Sequence, residues 1–170
     1  EWGSIICTYH TNKEQFMPNW CSNRVTVYSR GENVTKDIQK IKEIFESKDT
    51  VFGKVIPQPD WKNTPNENGE LPKLHKEYAK DGSVLFSYYQ FPDGSNDSRW
   101  YDWNLANWDT KWDVAGNVEI EEQDEECIVI EFQTAWSPPE SVCHKLRDMF
   151  PEVGFQWFYD EPGMEFAGYL

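Results

Sequence analysis

Apolar and polar side chains alternate over residues 23–28, with Val25 and Val27 on one side and Arg24 and Thr26 on the other. That is the two-residue period of a β-strand. Gly31 closes it, and Asn33 or Thr35 can cap the next element. Ile38, Ile41, Ile44 and Phe45 then recur at helical spacing between lysines and glutamates, predicting an amphipathic helix that ends near Lys48. A short apolar run at 52–56 is shut by Pro57 and Pro59. Residues 60–74 are polar and hold Pro65, Gly69 and Pro72, which predicts a surface excursion. Residues 78–80 suggest a helical turn, 83–90 an apolar strand, and 92–95 a turn.

In the second half, Ser98 can cap a helix over 99–108, and Gly116 marks a break. Val118 and Ile120 alternate with Glu119 and Glu121. The acidic turn 122–125 then leads into 126–134, where Ile128, Ile130 and Phe132 keep the same period. Two strands joined by so short a polar link predict a β-hairpin. Ser137, two prolines and Glu140 form a helix start of the capping-box kind. Val142, Leu146, Met149 and Phe150 supply the apolar stripe, and Pro151 stops it. Phe155, Trp157 and Tyr159 share one side of a strand at 153–159, and the turn 160–163 returns the chain into a last strand, 164–169. The order predicts an α+β domain, a mainly antiparallel sheet with helices packed on one face and a split βαβ arrangement. Residues 1–16 read as a leader or upstream sequence, and 17–170 as a single domain with a polar insertion near 58–82.

Charge and composition narrow the function. The 170 residues include 9 Trp, 8 Tyr and 10 Phe, and each ring can bury on the order of 150–250 Å²; core material is therefore plentiful. Carboxylates outnumber Lys and Arg 30 to 16, a net charge of −14. Such a chain repels phosphate backbones and anionic membranes and attracts basic partners, so direct nucleic-acid binding is not expected. Cys7, Cys21, Cys127 and Cys143 follow neither a zinc spacing nor a disulfide framework. They read as core thiols. No apolar run approaches the ~18 residues of a membrane span, and the expected location is the cytoplasm.

Several blocks together resemble a known family: Met17-Pro18-Asn19-Trp20-Cys21-Ser22-Asn23, Trp100-Tyr101-Asp102-Trp103, Asn107-Trp108-Asp109-Thr110-Lys111-Trp112-Asp113, Phe132-Gln133-Thr134-Ala135-Trp136-Ser137-Pro138-Pro139, and Tyr159-Asp160-Glu161-Pro162-Gly163 with Phe166-Ala167-Gly168. In this order they resemble the Api92-like or YubB-like proteins of phages, prophages and conjugative plasmids. The resemblance implies a ferredoxin-like α+β domain and no established activity. It implies no iron–sulfur cluster, since the cysteines lack the close spacings a cluster needs.

Two stretches stand out as candidate sites. The acidic hairpin carries Glu119, Glu121, Glu122, Asp124, Glu125 and Glu126. Alternate strand residues repeat every ~6.6–6.8 Å, near the phosphate spacing of one nucleic-acid strand, so the hairpin can imitate a nucleic acid toward a basic host protein. Its structural reading is a charged edge that blocks sheet-to-sheet pairing. The aromatic block of residues 100–113 offers Trp103, Asn104, Asn107 and Trp108 to a small ligand or carbohydrate. Its structural reading puts Trp100, Trp108 and Trp112 on one stripe facing the sheet, with Asn and Asp satisfying the indole N–H groups. No catalytic residue, metal site or cofactor is expected. A calcium-loop pattern is missing, and adjacent Cys143 and His144 point in different directions on a helix. A carboxylate-dependent hydrolase is the weakest rival. Val129 and Phe158 on the second sheet face leave the oligomeric state open.

Overall fold

The structure, a computed structural model, describes residues 19–32, 34–47 and 50–170. Residues 1–16, Met17 and Pro18 of the opening block, the cap residue Asn33 and the helix end at Lys48 lie outside the described residues. In chain order the elements are β1 (Trp20–Ser29), α1 (Thr35–Phe45), α2 (Phe52–Val55), a short 3-10 turn (Trp61–Asn63), β2 (Lys73–Tyr78), β3 (Val84–Gln90), α3 (Arg99–Asn107), β4 (Ala115–Asp124), β5 (Cys127–Ala135), α4 (Glu140–Met149), β6 (Val153–Glu161) and β7 (Phe166–Tyr169). The chain divides into two units, one of residues 19–57 and 103–170, the other of residues 58–102.

The larger unit is built on β1. Its two-residue period buries Cys21, Asn23, Val25 and Val27 and turns Ser22 and Arg24 outward. Such a strand suits the middle of a sheet covered on one face. It pairs antiparallel with β5 on one side and β6 on the other, giving the order β4-β5-β1-β6-β7. The path β1-α1-β4-β5-α4-β6 through that order is the ferredoxin-like arrangement, with β7 added outside β6. The chain is thus ferredoxin-like, an α+β fold with an antiparallel sheet.

Ile38, Ile41 and Phe45 of α1 and Val142, Cys143 and Leu146 of α4 pack with the buried side of the sheet. Trp157, fully buried, is the largest side chain there. Phe132 meets it edge-on at 5.6 Å and reaches Phe45 at 5.5 Å. A buried indole N–H needs an acceptor, and Asn23 Oδ1 supplies it at 3.0 Å, while Asn23 Nδ2 donates to Thr134 Oγ1 at 2.9 Å. The polar residue at a buried strand position is therefore fully used.

The smaller unit carries the antiparallel pair β2–β3. The Arg99 guanidinium lies 5.1 Å from the ring centres of both Trp61 and Phe91, donates two bonds of 2.8 Å to Asp97, and reaches the carbonyls of Trp61 and Pro65. These hydrogen bonds from Arg99 hold the Asp97 carboxyl below its usual range.

Some expectations need correcting. Residues 73–78 form β2, although 73 and 74 were expected in the surface excursion and Tyr78 in a helical turn; Gly82, at φ 83°, turns the chain, and Ala79 N–H bonds Ser83 O. The strand was hidden because all six of its residues are exposed, so no side alternates into a core. Ser137 does not cap α4: its hydroxyl donates to Asp109 O, and Asp109 Oδ2 accepts from the Ser141 N–H at 2.6 Å. Gly116 lies within β4, at φ 71°, where the register with β5 shifts.

Candidate functional site

The acidic hairpin is β4, its turn and the start of β5, and β4 is the outermost strand at its end of the sheet. Glu119, Glu121, Glu122, Asp124, Glu125 and Glu126 are all exposed. Register sorts them. Glu119 stands opposite Glu131 and Glu121 opposite Val129, while Ile120 pairs with core residue Ile130, so Glu119 and Glu121 share the side away from the helices. Glu122 instead forms an ion pair with Lys42 of α1, which also reaches Glu46 at 3.6 Å. The Glu122 hydrogen bond raises the Lys42 pKa. Asp124 Oδ1 accepts the Glu126 N–H at 2.8 Å, bracing the turn. The six carboxylates therefore occupy one continuous hairpin but do not all face one way.

The open face of the sheet, where Phe158 was expected only to bear on the oligomeric state, carries charged residues that residue-by-residue reading did not bring together. Arg24 of β1, opposite both Glu131 of β5 and Phe158 of β6, stands at its centre. Arg24 Nη1 donates to Glu131 Oε1 at 2.6 Å, with about half of each side chain exposed, 58% and 46%. Phe158 meets Tyr169 of β7 at 5.2 Å between ring centres. Two shallow concavities of about 490 and 260 Å³ lie on either side and share Arg24 and Phe158 as walls. Glu119, Glu131 and Asp160 line the larger, and Thr26, Gln156 and Tyr169 the smaller. The available signal was the outward parity of β1 and β6. It became a site only when pairing placed those strands side by side.

From Trp103 on, the aromatic block belongs to the larger unit and is knitted into it. Trp108 is buried at 3% exposure, donates its indole N–H to Ile56 O at 2.9 Å, and packs edge-on against Phe52 and Trp103. Asn104, also buried, donates to Lys111 O, and Asn107 Nδ2 donates to Trp103 O. Thr110 donates to Ala135 O. The Asp113 carboxylate gathers the N–H groups of Val51, Phe52, Gly53 and Val114 and the Thr50 hydroxyl. Trp108 alone of the predicted stripe reaches the core. Trp100 and Trp112 are half-buried, and Trp112 lies beyond the end of α3 against Trp20. The turn after α3 breaks the helical spacing that put Trp112 on the stripe, which is why the spacing misled.

Among the described residues, no group of three or more His, Cys, Asp or Glu is arranged to hold a metal ion. Cys143 is buried and His144 exposed, beside Glu140 at 3.5 Å, so the two neighbours point apart. Among the described residues, no helix is long and apolar enough to cross a membrane.

The path of the strands has counterparts among known proteins. Residues 107–170 match the family model described as the ferredoxin-like domain in Api92-like protein. Over that stretch the chain is similar to the Api92-like family. A solved structure of the protein api92 from Yersinia pseudotuberculosis is similar to it at a TM-score of 0.50 and 10% identity, covering 90% of this chain and 93% of that one. At that identity the likeness is one of fold. Comparison with curated proteins finds no match. The matched residues span β4, β5, α4, β6 and β7, so the similarity takes in the acidic hairpin and β5 and β6 of the open face.

Proposed function

We propose that this chain is a non-enzymatic accessory protein of a mobile genetic element that acts in the cytoplasm by binding a basic host protein through its acidic hairpin, imitating a nucleic acid. The observation that carries the reading is the placement of six exposed carboxylates on the outermost strand and its turn. The surplus of acids over bases across the chain supports it, because a strong negative field speeds encounter with cationic surfaces. The mobile-element setting is drawn from the family resemblance. The rival reading, a ligand site on the aromatic block, is not favoured, since Trp108 and Asn104 are buried and spend their polar atoms on the backbone.

The test compares the chain with a variant carrying Glu119→Gln, Glu121→Gln, Asp124→Asn and Glu125→Gln. Each is used to retain proteins from host extract at about 0.05 M and about 0.5 M salt, where the screening length differs several-fold. The expected result is a basic nucleic-acid-binding protein held by the native chain at low salt, lost at high salt, lost with the variant and displaced by added DNA. Equal retention by both chains removes the hairpin from the function.

A further inference from the structure

We propose that the open sheet face seats an arginine side chain of the basic partner, with Glu131, Asp160 and Phe158 setting the preference for arginine over lysine. This rests on the proposed binding of a basic protein and names the chemistry that a second part of the surface would read.

Charge on this face selects the occupant. The larger concavity is lined by Glu119, Glu131 and Asp160 against one cation, Arg24, and that acidic wall opposes a nucleic-acid strand while favouring a cationic side chain. The face already holds a guanidinium in place: Arg24 sits on Glu131 through one nitrogen at 2.6 Å. Arginine binds carboxylates best through two parallel bonds, so this contact leaves capacity for an incoming fork. Both side chains are about half exposed. An exposed pair of this kind is weak and can exchange partners without unfolding anything.

Shape points the same way. Phe158 separates the two concavities, with Tyr169 against it at 5.2 Å and 66% exposed. Aromatic faces attract cations and stack with the planar guanidinium, whereas an ammonium is a compact, strongly hydrated point charge. A side chain lying over Phe158 can direct its head to Asp160 or Glu131, the acids that border the larger hollow.

The experiment titrates isotope-labelled protein with an oligo-arginine peptide, an oligo-lysine peptide of equal length, and a single-stranded oligonucleotide, following backbone amide shifts and affinity. Oligo-arginine should move the amides of Arg24, Glu131, Phe158 and Asp160. Phe158→Leu and Asp160→Asn should each weaken it by about 5- to 10-fold while changing oligo-lysine by less than about 2-fold. Arg24→Gln, which releases Glu131, should strengthen oligo-arginine by about 3-fold, an outcome that a merely structural role for Arg24 does not produce. Equal affinity for both peptides, with shifts confined to residues 119–126, overturns the sheet-face assignment and leaves the hairpin reading standing. Failure of oligo-arginine to bind, or binding of the oligonucleotide across Phe158, also overturns it. Loss of the hairpin-dependent retention from host extract is a separate failure, of the function itself.

Discussion

Cys21 and Cys143 are fully buried, and burial pushes each thiol up to about 11 from an ordinary value of 9.0. In the unfolded chain both ionise near their ordinary value. A folded pKa above the unfolded one means stability that is whole below about pH 9 and lost as pH rises through about 11. Denaturant titrations at pH 8 and pH 11 should therefore differ by on the order of 2 kcal/mol per thiol, and Cys143→Ala should remove its share of the difference. A pH-independent midpoint for that variant and the parent alike would contradict the burial argument. The alternation that exposed β1 in the sequence also implied that Arg24 faces outward. It did not explain Asn23 on the buried side, because the partner that makes Asn23 acceptable, Trp157, lies 134 residues away. A buried polar residue becomes intelligible only with its partner in place.

Between elements, the starts of α2 and α4 each draw a hydrogen-bond acceptor from a distant carboxylate, Asp113 and Asp109. Asp109 adopts φ 62°, a left-handed conformation that Asp and Asn tolerate better than most residues, and it reaches back to the Ser141 N–H at the start of α4. Asp109→Ala should cost about 1–2 kcal/mol in thermal or denaturant unfolding, while Asp109→Asn should keep most of that. If both variants match the parent, the cap contributes nothing. This is why Ser137-Pro-Pro-Glu was a legible helix signal with the wrong capping residue. The helix was where the pattern placed it, but its first orphan donor is met from 32 residues upstream. β2 failed for the opposite reason. Periodicity reports burial, and a strand exposed along its whole length leaves no periodic trace.

Across the whole molecule, a net charge of −14 works against compactness through self-repulsion. Glu119 and Glu131 face each other directly across β4 and β5, and like charges so placed are unfavourable by roughly 0.2–1 kcal/mol. Glu119→Lys should raise the thermal midpoint at low salt, and adding salt should shrink the gain by screening. An unchanged or lower midpoint would show that the carboxylates are far enough apart not to interact. The ferredoxin-like order of the larger unit was legible because its strands and helices are amphipathic in their own right. The concavities around Phe158 were not, since they exist only where β1, β5 and β6 lie abreast.

Asp113 collects the donors at the start of α2 from 61 residues downstream of Phe52, and Trp108 reaches Ile56 across 52. A four-residue helix has little stability of its own. At roughly 5–20 residues per second, a ribosome delivers Asp113 about 3 to 12 seconds after Phe52. During synthesis, the first part of the larger unit therefore waits with its amide donors in water until the segment after the insertion emerges to close them.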